Sequence, residues 1–360
     1  MAPSDLAAAR RPTLLVVAGS GRSGTSLFTG LAGRLGVYIP QPEIQANETN
    51  PRGFGEPRWA LAFHKEMLES VDVAHDDARP DAWDLTGQVA ERPQARKRLR
   101  DWLAEQFEVS DRVVVKDPRL APFLQLYRRA AEDLGVDLSV ATMLRHPAET
   151  VRSKEMYYGD QLGSAARMAG WLNMMLSVEA ASRDLPRAVL RFDDLLTRWR
   201  PTLAAAERPL GLALTTGATE DQVEAADELV DPSLRRAAPG WQELELPVRL
   251  RDLAEATYQE LDSRAVDPEA AGTEKPEVLD EVREEYARYY RESEAIVRSS
   301  IRAARVTTRR RVVKRMRGQQ QKGARPVRPR PEGGATPTAP SPSTAGLKHR
   351  TAALLRGLRR

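Results

Sequence analysis

At 360 residues the chain is two to three times the usual domain size, so one large α/β domain with appendages, or two domains, is expected. Its 41% hydrophobic and 29% charged residues fit a globular protein, and the absence of cysteine excludes disulfide scaffolds, thiolate metal sites and cysteine nucleophiles. The net charge of +4 conceals a division: residues 301–360 hold 17 Lys or Arg against the single acid Glu332, a net of +16, which leaves −12 for residues 1–300. The basic character is a property of the tail and does not argue that the folded part binds nucleic acid. The longest aliphatic run near the start, Leu14 to Ala18, is too short for a bilayer span or a signal-peptide apolar region, so a cytoplasmic chain without a cleaved leader is expected.

Short aliphatic runs alternate with helical patterns through the first two hundred residues. Thr13–Ala18 reads as a buried strand, followed by a glycine loop and a helix over residues 25–35. Residues 37–39 suggest a second strand, with a loop rich in Asn, Pro and Gly behind it. Helices are predicted over 59–70, 96–107, 120–134 and 165–184, and strands over 112–116, 138–144 and 188–192. This alternation predicts an α/β fold, a parallel sheet flanked by helices on both faces. A helix over 241–261 closes the expected domain, residues 1–262. A linker at 263–276 then leads to a charged helix at 277–317, a disordered Pro/Gly-rich stretch at 318–346 and a short basic amphipathic segment at 347–360.

The strand, loop and helix at the N-terminus carry the most chemistry. In Gly19-Ser20-Gly21-Arg22-Ser23-Gly24, glycines let backbone N–H groups approach an anion at the positive end of the following helix. A nucleoside-triphosphate loop would need lysine where Thr25 stands. A dinucleotide fingerprint would need an acid at the end of the second strand, where residues 37–40 have none. Arg22 with the hydroxyls of Thr25 and Ser26 suits a more highly charged, diphosphate-like group. Arg145, before Pro147, ends a predicted strand at the same carboxyl edge, where open α/β sheets bind ligands. Two anion sites on one edge point to one ligand with phosphate at both ends.

Residues Gly21, Arg22, Ser23, Gly24, Thr25 and Ser26 resemble the 5′-phosphosulfate loop of sulfotransferases that use 3′-phosphoadenosine 5′-phosphosulfate (PAPS). Arg145 and Ser153, eight positions apart, resemble that family's 3′-phosphate pair, and residues 189–196 are similar to its segment after a late strand. The likeness spans residues 13–235. It implies a P-loop-like fold, PAPS as co-substrate, no metal, and in-line sulfuryl transfer to a hydroxyl or amine; carbohydrate, glycolipid, small molecule and protein tyrosine all stay open as acceptors, carbohydrate or glycolipid being preferred. Arg22 replaces the lysine of many members and Phe192 the common tyrosine, which puts a phenol contact to the nucleotide in doubt.

For catalysis, Arg22 is expected to stabilise charge on the leaving phosphate. The loop from Glu48 to Glu56 resembles an Asn-Pro-x-Gly-aromatic-x-Glu segment of bacterial-type members, which makes Glu56 the first candidate general base, Glu48 the second and His64 the third. Glu56 could equally serve only as a dipole-compensating acid at a helix start. Lys116 could approach the sulfate or form a structural ion pair. The four histidines show no metal-ligand spacing. A small-molecule kinase and a catalytically inactive nucleotide- or polyanion-binding protein are the rival functions. The basic tail could be a solvated extension without function, could hold a polyanionic partner such as a glycan or nucleic acid, or could meet an anionic membrane surface; the last is slightly favoured and would place the chain at the membrane's inner face, and no specific nucleic acid is expected.

Overall fold

The computed structural model describes residues 11–47, 50, 52–159, 162–231, 240–266 and 276–323. Four parallel strands, β1 (Thr13–Ala18), β2 (Arg112–Lys116), β3 (Asp137–Leu144) and β4 (Arg187–Arg191), form a sheet in the order β2-β1-β3-β4. Every residue of β1 is buried because both sheet faces are covered. Leu14, Val16 and Ala18 join one apolar cluster, while Leu15 and Val17 join another on the opposite face, as the two-residue period of a strand requires. The expected second strand at 37–39 is reduced to a single bridge: only Tyr38 pairs with Val113, at the outer edge of β2.

Helices α2 (Arg58–Glu69), α3 (Ala82–Ala90), α4 (Pro93–Phe107) and α5 (Leu124–Leu134) supply the first cluster, with Phe63, Leu99, Leu103 and Tyr127 buried in it. On the second face lie α1 (Thr25–Arg34), α8 (Phe192–Leu210) and α9 (Glu220–Leu229), with Phe28, Trp199 and Leu203 at its centre. A third cluster joins the end of β3 to α6 (Pro147–Tyr158), α7 (Gly163–Ser182), α10 (Val248–Ser263) and the start of α11 (Pro276–Gly323). There Leu279, Val282 and Tyr286 are buried, so the first turns of the charged helix belong to this core rather than standing apart from it. Tyr286 donates to the carbonyl oxygen of Ala169 at 3.2 Å. The chain divides into units within α11, between Ile296 and Val297.

Pro201 and Pro209 lie inside α8, which kinks at Arg198 because proline cannot donate to the preceding turn. The predicted linker at 263–276 falls mostly outside the described residues; within them, Val266 donates to the Val189 carbonyl at 2.8 Å, binding the start of that stretch to β4. The helix expected to end at 317 continues to Gly323. The remainder of the stretch assigned to disorder, from 324, and the amphipathic segment at 347–360 lie outside the described residues, as does Glu48.

Candidate active site

The sheet order decides where the chemistry gathers. β1 and β3 are neighbours, paired to Ala18↔Thr142, so the glycine loop after β1 and Arg145 after β3 emerge side by side. Gly19 has φ +119°, and a Cβ there would lie 2.8 Å from the Met143 carbonyl oxygen, so the loop leaves the sheet through a position open only to glycine. Gly24 caps α1 with φ +92°, and its missing Cβ would lie 2.3 Å from the Phe192 ring. No side chain caps α1, and its first turn contains no acid, so its N–H groups keep their positive end for an incoming anion.

Ser23 is completely buried, and among the described residues its Oγ has no hydrogen-bond partner. A buried, unpaired hydroxyl is costly unless a ligand completes it. Arg22 takes positive φ (73°), which turns its carbonyl inward to accept from Arg145 Nη1 at 3.2 Å. Its Nε donates to Ser153 Oγ at 3.1 Å, and its guanidinium lies 4.0 Å from the centre of the Tyr157 ring. Arg145 in turn is oriented by Glu149 (Nε to Oε2, 2.9 Å) and rests 4.7 Å over Phe192. Phe192 thus touches both Gly24 and Arg145, packing by its face where a phenol was in question. The two predicted anion elements are therefore contiguous: α6 supplies Ser153 to the loop arginine, and the loop supplies a carbonyl to Arg145.

A second cluster forms beside Ser26. Gly55, at φ +63°, packs its backbone on Thr29 of α1, where a Cβ would approach to 2.7 Å, and this carries Glu56 toward the end of β2. There Glu56 Oε1 accepts from Lys116 Nζ at 2.5 Å, with both side chains almost wholly buried. Lys116 Nζ also lies 3.4 Å from Ser26 Oγ, which accepts from Asn50 Nδ2 at 3.3 Å. Since α2 begins at Arg58 behind Pro57, Glu56 stands before the helix and is held by the lysine rather than by the helix dipole.

His64 is placed differently from the role of third candidate base. It is fully buried, its Nδ1 2.8 Å from Asp117 Oδ2 and its Nε2 3.1 Å from the Tyr127 hydroxyl. Burial would raise the Asp117 carboxyl, but its bonds to His64 and Arg119 outweigh this and hold it well below the usual carboxylate range. Burial and the Asp117 charge push the Tyr127 phenol well above its ordinary value, and the ring is held at one nitrogen by Asp117 and at the other by the Tyr127 hydroxyl. With both nitrogens engaged, His64 is a brace behind Lys116 and cannot take a proton from an acceptor.

Sequence reasoning passed over Tyr157, Phe192 as a packing residue, and Lys154, the neighbour of Ser153. Lys154 is buried with Nζ 3.9 Å from Asp76 Oδ2; burial pushes its ammonium below the ordinary value, Asp76 opposing and Arg167 adding to the shift. His75 lies beside Asp76, Nδ1 to Oδ1 3.7 Å, with its side chain 42% exposed. Among the described residues no three His, Asp or Glu side chains gather as a metal site.

No protein-family model matches this chain, and no curated protein matches it. Solved structures similar to it include two sulfotransferase domains. The sulfotransferase domain from the Synechococcus PCC 7002 olefin synthase is 17% identical, covering 70% of this chain and 96% of that one, with a TM-score of 0.42. The sulfotransferase domain from the curacin biosynthetic pathway is 17% identical, covering 70% of this chain and 98% of that one, with a TM-score of 0.40.

Proposed function

We propose that this chain is an enzyme that moves a sulfuryl group from PAPS to a hydroxyl or amine acceptor by in-line transfer. The observation that carries this reading is the buried Ser23 Oγ, without a hydrogen-bond partner among the described residues, at a helix N-terminus that no side chain caps, in a loop whose Arg22 carbonyl accepts from Arg145. Gly21, Arg22, Ser23, Gly24, Thr25 and Ser26 would hold the 5′-phosphosulfate through backbone N–H groups and hydroxyls. Arg145 and Ser153 would take the 3′-phosphate. Ser153 bonds Arg22 in the structure described, so in this reading the 3′-phosphate takes over that serine while Arg22 turns to the phosphosulfate.

Transfer breaks the bond from sulfur to the bridging phosphate oxygen, leaves its electron pair on the phosphate and forms a bond from sulfur to the acceptor oxygen or nitrogen. Arg22, once turned from Ser153 to the phosphosulfate, neutralises the charge that grows on the leaving oxygen. Glu56 takes the acceptor proton, and Lys116 fixes its position beside Ser26. Carbohydrate, glycolipid and small-molecule hydroxyls form the acceptor panel. Titration with adenosine 3′,5′-bisphosphate should raise the melting temperature, while ATP and NAD should raise it little. A larger response to ATP with magnesium than to the bisphosphate would reverse the assignment in favour of a kinase. Labelled sulfate transferred from PAPS to a member of the panel completes the test, and bisphosphate binding without any transfer would leave a binding protein.

A further inference from the structure

From Val297 to Met316, α11 carries seven arginines and one lysine and no acid, and nearly all of its side chains are exposed. The three turns of residues 306–316 are two-sided. At about 100° per residue, Val306, Val312, Val313 and Met316 fall within about 120° of the circumference, whereas Arg310, Arg311, Lys314 and Arg315 fall within about 140° on the other side. The four apolar side chains are 39–59% exposed, which is far from buried for Val and Met. Arg309 alone interrupts their sector, and its long stem can run along apolar surface to deliver its charge at the edge.

Three occupants could cover such a face, and their chemistry separates them. A second copy of this helix would bring eight further cations and no acid against the first, so like-charge repulsion opposes self-pairing. A soluble polyanion such as a sulfated glycan would satisfy the arginines but would leave Val306, Val312, Val313 and Met316 in water. An anionic lipid surface uses both: headgroup phosphates meet guanidinium forks, and the aliphatic side chains enter the boundary between headgroups and acyl chains.

We infer that residues 306–316 of α11 dock in the plane of an anionic membrane surface, apolar sector inward, with the Arg298, Arg302 and Arg305 ridge adding attraction from the preceding turns. Three turns carry too little apolar area to bind alone, so charge and insertion must act together. The membrane contact expected of the tail is thereby assigned to a segment upstream of residues 347–360.

The full chain is the material for the test. Its co-sedimentation with vesicles of mixed phosphatidylcholine and phosphatidylglycerol is compared with that on pure phosphatidylcholine. Two multiple variants are used: Arg310→Gln, Arg311→Gln, Lys314→Gln and Arg315→Gln together, and Val306→Ser, Val313→Ser and Met316→Ser together. All seven positions are exposed, so both variants should melt as the parent does. The parent should partition onto anionic vesicles only. The charge variant should lose on the order of a hundredfold in partitioning, and the apolar variant about tenfold. Retention of both variants within twofold of the parent would show that these turns are not the docking segment. An apolar variant that binds vesicles and heparin as the parent does would assign the face to a soluble polyanion, and failure of the parent to sediment with any vesicle would overturn the inference outright.

Discussion

Neutralising Glu56 tests the candidate base and its partner together. Lys116 and Glu56 expose only 3% and 9% of their side chains, and their 2.5 Å contact is the ion pair each has in this burial. Removing one partner of a buried pair while leaving the other charged costs about 3–5 kcal/mol. The amide of Glu56→Gln can still accept from Lys116, so a cost near the lower bound, about 3 kcal/mol, is expected, a fall in melting temperature of roughly 4–5 °C. Lys116→Met should cost a similar amount by stranding the carboxylate. The double variant leaves no buried charge and should recover most of that stability. Activity should not follow stability: as general base, Glu56 contributes about 10²–10⁴ in turnover, which the double variant cannot restore. Urea unfolding of the four proteins, bisphosphate titration to show an intact donor site, and labelled-sulfate transfer supply the readouts. Wild-type turnover in Glu56→Gln would refute the catalytic role, and a stability loss below about 1 kcal/mol in both single variants would refute the energetics.

Arg22→Ala should lower turnover by about 10²–10³ while changing bisphosphate affinity far less, because its charge is needed most as the leaving oxygen develops; equal losses in both, read from kinetics and calorimetry, would make it a binding residue. Gly24→Ala must place a Cβ against Phe192 in a left-handed backbone and should cost about 1–3 kcal/mol. It should also abolish the bisphosphate-induced thermal shift, whereas the α1 substitution Gly30→Ala, whose Cβ at 2.8 Å needs only the flexible end of Leu229 to move, should leave that shift in place. On acidification, Asp117 and Glu207 should both withdraw stability. Burial works against the Glu207 carboxylate, but bonds from Thr216, Thr215 and Leu214 hold it at about 2, and Asp117 is likewise held well below its unfolded value near 4. Both folded values are depressed, so their contribution is complete above about pH 5 and is lost as pH falls toward 2, and Asp117→Asn should flatten that slope in chemical unfolding measured across pH.

The elements of the α/β frame and the glycine loop after β1 were legible in local sequence because their signals are local. Five aliphatic residues from Leu14 to Ala18 can only be a strand buried on both faces, and the glycines after them can only turn. Arg145 before Pro147 marks a strand end and a helix start without reference to anything distant. Where the local signal was short or contradictory the reading failed in step: residues 37–39 offered enough aliphatic character for a strand but found only one pairing position at the sheet edge, and prolines at 201 and 209 hid α8, which kinks rather than ends.

The site's internal contacts belong to the tertiary structure. Arg22 and Ser153 are 131 positions apart, Lys116 and Glu56 are 60, and no periodicity relates them. Sheet order brings the first pair together, and the packing of Gly55 on α1 brings the second. His64 shows the same division: its residue type permitted base chemistry, but Asp117 and Tyr127, arriving from β2's end and α5, close both of its nitrogens in the core. Amino-acid order thus specified which groups with charge and backbone freedom exist at the sheet's carboxyl edge. Folding decided which of them face one another, because burial and hydrogen-bond pairing are properties of neighbours in space rather than of neighbours along the chain.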